Sequence, residues 1–459
     1  MAPPPGGASL PPTPVRRSFS ANARAVLVLG LPLIGSHVAQ FALHVTDTIM
    51  LGWYGVTDLA AGALGATVFF VLFTMGIGFS QAVMPMVATS AASGEDTEVR
   101  RVTRMGMWLS LIYFVIVLPV FLFSAPILNL LGQDPEVARL GGAYLAIVGW
   151  GLAPALLAMV LKSYLAALER TQVVLWATLL GVAVNIGVNW LLIFGNLGFP
   201  ELGARGAATA SVLVQLVTLG ALLAYALWLP ALRHYQLLVR FWRPDWAALR
   251  QVNALGLPIG LALLAETGLF AASAVMMGWL GKEMLAAHSI ALEITAMFFM
   301  VHLGLSNAAT VLVGRARGQR NPEALRAAAK ASVVISLAFA VATMGVSLIF
   351  AEPMVGLFLK PDDPARAVIV PMGASLLMVA ALFQLADGGQ VMAMGLLRGM
   401  QDTRQPMVIA AVSYWLIGLP AGYALGFILG WEGTGVWLGL VAGLTCAAVA
   451  LHARFWRSI

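Results

Sequence analysis

Residues 255–280 read LGLPIGLALLAETGLFAASAVMMGWL, a stretch long enough to cross a bilayer with one charge, Glu266, near its middle. A carboxylate at the centre of a membrane helix costs about 2.5–3.5 kcal/mol to insert, so Glu266 points to a use. The stretch is also a copy. Residues 29–53 read LGLPLIGSHVAQFALHVTDTIMLGW, with the same LGLP opening and the same Met, apolar, Gly-Trp close. A constant offset of 226 carries Leu29 to Leu255 and Trp53 to Trp279, and without a gap it matches 13 of 38 positions over residues 29–66. The chain is two halves of one design. At this offset Glu266 faces Gln40, and Asp47 faces Ser273, so each half buries one acid where the other has a neutral polar residue.

Working outward, the 459 residues are 60% hydrophobic and 10% charged, against about 25% charged in an ordinary soluble domain. This is the composition of a polytopic membrane protein. The single Cys446 excludes an intrachain disulfide framework. The net charge of +6 is explained by basic residues at cytoplasmic helix ends; no basic, aromatic-interleaved segment for nucleic acid is present. Residues 1–24, rich in Pro, Gly and Ser, are expected to form a disordered tail. They lack the cleavage site of a signal peptide.

Beyond the tail, apolar runs alternate with short polar breaks. At ~20 apolar residues per span, twelve spans are read at about 26–51, 59–90, 105–131, 141–168, 173–195, 205–229, 254–280, 285–314, 331–358, 367–397, 406–429 and 434–455. The runs are too long and too continuously apolar for a β-barrel, and helices satisfy every backbone polar group internally. With the N-terminus inside, 21 Lys and Arg fall on the inner side and 5 on the outer, counting Arg398 with the loop after span ten and Lys162 near the inner end of span four. That split places both termini in the cytoplasm. Six spans per half is an even number, so the two repeats are parallel, related by a pseudo-twofold along the membrane normal. Such transporters bind at the midplane between two bundles. The expected fold is an all-α polytopic membrane protein of twelve transmembrane helices in two parallel six-helix repeats. Its bundles are 25–229 and 254–459, joined by a basic cytoplasmic linker at 230–253.

The segments VTDTIMLGWYG (45–55), VNIGVNWLLIFG (184–195), LGARGAATA (202–210), AETGLF (265–270), LAAHSIAL (285–292) and FQLADGGQVMAMGLLRGMQDT (383–403) are each weak signals. In this order and spacing they are specific. The chain resembles the multidrug and toxic compound extrusion family, its NorM branch in particular. The resemblance implies an exporter of organic cations and other amphipathic drugs in the inner (plasma) membrane, working by antiport with sodium or protons. It implies no cofactor beyond that coupling ion, with the bilayer as surroundings and a monomer as the expected working unit.

Asp387 lies mid-span between Gln384 and Gln390, three residues to either side and on one helical face. The resemblance implies that Asp387 and Glu266 couple the ion, holding sodium if sodium is used; the alternative is a neutral acid bonding helices together. It ties Asp47 to substrate or proton binding, with Gln40, Asn185 and Asn189 beside it. Asn185 and Asn189 are four apart on one helix, and buried amides also bridge helices. Phe383 stands one turn before Asp387, where relatives often have tyrosine: its ring offers a cation a π face but no hydroxyl. Glu293 is a substrate-site candidate that either faces a water-filled cavity or pairs with Lys282 or His288. His37, His44 and His302 are expected to make structural hydrogen bonds.

No GxxxxGK[ST] phosphate loop is present, so the chain itself does not use ATP, and no His or Cys cluster is spaced for a metal. The chain is expected not to be an enzyme. Two other classes were weighed. A lipid-linked precursor flippase needs a cationic cavity, whereas the central charges here are acidic. A receptor or channel assembled from symmetric subunits fits poorly with a chain that carries its own pseudo-symmetry. A proton needs one acid, whereas sodium is suited by a pair of carboxylates, so the pair favours sodium and leaves protons as the other candidate.

Overall fold

A computed structural model of the chain describes residues 18–130, 132, 134–361 and 364–459. Twelve helices in it are long and apolar enough to cross a membrane. In the first half they are α1 (Phe19–Tyr54), α2 (Val56–Ala92), α3 (Asp96–Leu122), α4 (Pro135–Ala167), α5 (Thr171–Leu192) and α6 (Ala204–Trp228). In the second they are α7 (Trp246–Trp279), α8 (Lys282–Gly318), α9 (Pro322–Ile349), α10 (Arg366–Gly399), α11 (Arg404–Ile428) and α12 (Glu432–Arg457). No strand occurs among the described residues. Several helices run past the apolar spans at their polar ends, because capping and local propensity extend a helix where hydropathy has already stopped. The disordered tail expected over 1–24 is corrected in this way. Ser18 caps α1, its Oγ accepting from the Ala21 N–H at 3.2 Å, so the chain is helical from Phe19; residues 1–17 lie outside the described residues.

The repeat is written in the packing. Within the first half α1 packs on α5, α2 on α3 and α4, α4 on α6, and α5 on α6; each pairing recurs six helices later. The turns repeat as well. Gly94 and Arg320, 226 residues apart, both take left-handed backbone, with φ of 77° and 50°. Each turn is closed by the same bond, from Glu95 N–H to Ser90 O at 2.8 Å and from Asn321 N–H to Ala316 O at 3.0 Å. This is how helices commonly end. Glu169 and Gln401 make a second such pair, with φ of 62° and 57°.

The halves meet through α1 on α8 and α2 on α7. Both crossings bring backbones together. A Cβ on Gly78 of α2 would fall 2.4 Å from Gly256 O and from Gly260 N of α7, and one on Gly304 of α8 would fall 2.7 Å from Ile34 N of α1. Gly78 and Gly304 are again 226 apart. Small residues are what lets membrane helices pack this closely. Polar bonds join the crossings: Thr89 Oγ1 donates to Gly314 O at 3.2 Å, Asn307 Nδ2 meets His37 Nε2 at 3.0 Å, and Arg315 pairs with Glu169. Among the described residues, the hydrogen bonds and ion pairs between the halves run from the basic face, at Arg315 and Glu169, to mid-helix, at His37 and Asn307. Among the described residues none ties the halves at the opposite face.

The connection after α6 forms a short helix, Pro230–Arg233, and a series of turns held against α3. Arg104 donates to Val239 O at 2.5 Å and Arg240 O at 3.0 Å, and the Trp108 indole donates to Phe241 O at 2.9 Å. Asp245 ends it. One of its oxygens caps α7 through the Ala248 N–H at 3.0 Å, and the other takes Arg101 Nε at 2.5 Å. Helix α7 therefore begins at Trp246, well before its apolar run.

Two outcomes follow for stability. Gly78→Ala places a methyl in the α7 backbone and is expected to cost at least about 1–3 kcal/mol. Gly220→Ala, whose added Cβ meets nothing within 4 Å, is expected to be neutral or to gain up to about 1 kcal/mol by helix propensity; thermal unfolding in detergent compares them. The Arg101 guanidinium, then the Ala248 N–H, hold the Asp245 carboxyl at about 2, below its ordinary 3.8. Its ionised form therefore stabilises the fold fully above pH ~4, and that contribution is lost as pH falls through about 2. Asp245→Asn keeps a cap but not the charge. We expect it to lower stability by about 1 kcal/mol for this partly exposed pair, with a gap from wild type constant above pH 5 and closing towards pH 2 in melting curves.

Candidate functional site

Two acid clusters lie one in each half. In the first, Asn185 Nδ2 and Asn189 Nδ2 of α5 both donate to Asp47 Oδ1 of α1, at 2.9 and 2.6 Å. The four-residue spacing stacks the two amides on one face of α5, and the α1–α5 packing brings that face to Asp47. Both amide oxygens are buried without a partner, so the amides are oriented wholly towards the carboxylate. Tyr144 of α4 is within electrostatic reach of Asp47. Gln40 is half-buried two helical turns before Asp47 and makes no hydrogen bond among the described residues.

The second cluster holds Glu266 of α7 and Asp387 of α10, within electrostatic reach of each other. Asp387 is 5% exposed, and its Oδ1 has no hydrogen-bond partner. Gln390 is within hydrogen-bonding reach of Glu266, and its own Oε1 is buried and unpartnered. The even polar face expected on α10 divides: Gln384 turns away, donating to Ser347 Oγ of α9 at 2.9 Å. Helical spacing puts both glutamines on one side of the helix, but the neighbouring helix decides what each meets. Phe383 is buried, edge-to-face with Phe270 at 6.0 Å and Trp437 at 5.3 Å between ring centres. It forms an aromatic wall beside Asp387.

Glu293 pairs with neither expected partner. Lys282 lies 3.7 Å from Glu283, and His288 Nδ1 accepts from the Trp437 indole at 3.1 Å. Glu293 stays half-buried on α8, with no ion pair among the described residues. His37 bonds Asn307, and His302 Nδ1 bonds Ser336 Oγ at 2.9 Å; His44 is exposed.

One residue changes the electrostatics of the second cluster. Arg398, placed by its sequence position in an inner loop, is 8% exposed. It donates to Gln81 of α2 across the seam at 2.7 Å and lies within electrostatic reach of Glu266. Two carboxylates and one guanidinium leave a formal charge of −1 when all are ionised. The readable signal was helix geometry: α10 continues to Gly399, and helical side chains lean back towards the N-terminus. A long side chain in the last turn thus returns into the membrane rather than leaving it. Tyr414 of α11 is a second residue that the sequence reading missed, and unlike Arg398 it has no sequence signal; it is fully buried and within electrostatic reach of Glu266, Asp387 and Arg398.

Two pseudo-symmetric six-helix bundles packed on each other, each carrying buried acids, define a membrane transporter rather than an enzyme. The MatE family model matches residues 32–191 and 258–424, two segments that begin 226 residues apart. A protein described as "Probable multidrug resistance protein NorM" from Rhizobium meliloti (strain 1021) is 43% identical, with 96% of this chain and 94% of that protein covered. One of the same description from Agrobacterium fabrum (strain C58 / ATCC 33970) is 44% identical, with 95% and 94% covered. The crystal structure of a MATE protein in the bent conformation superposes with a TM-score of 0.86 at 21% identity, covering 96% of each chain. This chain belongs to the MatE family.

Removing one partner of a buried pair strands the other charge and typically costs about 3–5 kcal/mol. Arg398→Ala is therefore expected to destabilise by at least about 3 kcal/mol. Adding Glu266→Gln should recover part of that loss, a coupling of at least about 1 kcal/mol in a double-mutant cycle read by thermal unfolding.

Proposed function

We propose that this protein is a secondary active multidrug efflux transporter that exports organic cations and amphipathic drugs by antiport, with sodium as the coupling ion. The observation that carries the reading is the pair of buried acid clusters, one in each half, with Arg398 of the second bonded to Gln81 across the seam. The description of its relatives as multidrug resistance proteins supports drugs as the cargo. The basic face is cytoplasmic, with both termini there, and the membrane is the plasma membrane. The halves 25–229 and 254–459 move as two bundles about the linker at 230–253, within a single working monomer.

Asp47, held by Asn185 and Asn189 and flanked by Gln40, attracts the cationic part of the drug. Glu293 and Phe383 line the drug's path in the second half, while Gln384 supports that wall through Ser347. Glu266 and Asp387 take the ion. Sodium is favoured over a proton because paired carboxylates supply charge and several oxygens at once, whereas a proton needs one acid. In the outward-facing conformation sodium enters from outside. Ion and cationic drug compete for negative charge in the same interior, so sodium entry expels the drug and the loaded bundles then rock to the inward-facing state.

Purified protein in liposomes preloaded with a fluorescent cation separates the candidates. A sodium gradient alone is expected to drive cation movement, and Asp387→Asn and Glu266→Gln are each expected to lower it at least tenfold in protein that still inserts. Movement driven by a pH gradient alone, indifferent to sodium at fixed pH and voltage, would overturn sodium coupling. Full drug resistance in cells expressing Asp387→Asn would overturn the assignment of the acid pair.

A further inference from the structure

Helix α11 is not a regular α-helix. It widens into π turns at Ser413–Gly418 and Ala424–Ile428, separated by Leu419–Tyr423. Pro420 supplies the cause for the first: it has no N–H for the carbonyl four residues back, and its ring crowds that turn. Single π turns inside α-helices are frequent at functional sites. This one is locked in place on two sides. Gly418 lies against Gly443 of α12, where a Cβ would be 3.2 Å from the Gly443 Cα. The Trp415 indole donates to Ala265 O of α7 at 3.1 Å, and its ring covers Gly268, where a Cβ would come within 2.7 Å. Trp415 thus grips α7 on either side of Glu266.

The neighbouring residue of the same turn, Tyr414, is wholly buried, and its hydroxyl has no hydrogen-bond partner. It lies within electrostatic reach of Glu266, Asp387 and Arg398. The unpartnered Asp387 Oδ1 and Gln390 Oε1 belong to the same cluster. A buried polar atom without a partner is costly, and in native proteins such an atom calls for a water, an ion or a catalytic role. The unpartnered atoms on Tyr414, Asp387 and Gln390 are oxygens, and oxygens are what a hard cation takes; the unpartnered His302 Nε2 lies against Gly388 beside them.

We propose that the Tyr414 hydroxyl is a ligand of the coupling cation, delivered to the Glu266–Asp387 pair by the π turn of α11. The inference rests on the sodium reading above and adds a third helix to the site. Tyr414 supplies a neutral oxygen, the acids supply charge, and Arg398 holds the formal total at −1, which matches one monovalent cation and not a divalent one. Phe383, Phe270 and Trp437 wall the cluster with aromatic carbon, so the donors come from α7, α10 and α11 together.

The test is sodium binding by the full-length protein in detergent, followed by the shift of thermal unfolding with sodium chloride at constant ionic strength against choline chloride. Wild type is expected to be stabilised saturably by sodium, and Asp387→Asn to lose the response. Tyr414→Phe keeps the ring and removes one oxygen; its apparent sodium dissociation constant should rise at least tenfold, with unchanged melting in choline. An unchanged constant in Tyr414→Phe, with the response still lost in Asp387→Asn, overturns the role of Tyr414 and leaves the acid pair standing. Wild type indifferent to sodium overturns both. A second readout keeps Tyr414 in place: protein carrying 3-fluorotyrosine should show a sodium-dependent movement of the ¹⁹F resonance assigned to residue 414, and a resonance that does not move counts against the proposal.

Discussion

The structure depends on backbone contact between its halves at one face. Gly78 on Gly256 and Gly260, and Gly304 on Ile34, bring main chains closer than any side chain would permit. Lipid is as apolar as leucine, so no hydrophobic drive favours one helix pairing over another; close packing and interhelical hydrogen bonds must supply it. These glycine contacts fall on the half of α1, α2, α7 and α8 nearer the basic face.

The repeat supplies this scaffold twice, and the chemistry comes from where the copies differ. Asp47 is answered by Ser273 and Glu266 by Gln40, so the halves carry different acids on similar helices. The first half satisfies its acid with two amides from a single helix. The second gathers two acids, an arginine, a glutamine and a tyrosine from α7, α10 and α11. That second arrangement is electrostatically richer and costlier to bury, which is why a counter-charge is built in. Arg398 also touches Gln81 of the other half. It therefore meets both the acid pair and the seam.

Much of this was legible before any coordinates. The 226-residue offset, the twelve apolar runs and the obligation of a chain in lipid to bond its own backbone fixed an all-helical, two-bundle fold. The four-residue spacing of Asn185 and Asn189 places them together on one face, whereas their nearness to Asp47 was implied by the family resemblance alone. The tail was read too long because composition does not register a serine cap, and the inner basic count included an arginine that is in fact buried.

What only the tertiary structure decided is which neighbour each buried polar group meets. Periodicity assigns a residue to a face of its own helix and says nothing about the helix opposite. Gln384 and Gln390 share a face and serve different partners, and Glu293 has neither of the partners its sequence neighbourhood offered. The phase of α11 was beyond the reach of sequence for a further reason. A π turn adds a residue to one turn of helix and rotates everything after it, so a 3.6-residue reading cannot say that Tyr414 faces the acids. Sequence by itself determined the membrane fold, its duplication and the acids at its centre, because hydrophobic burial and backbone hydrogen bonding are local demands. The neighbours of those acids were set by packing between helices far apart in the chain.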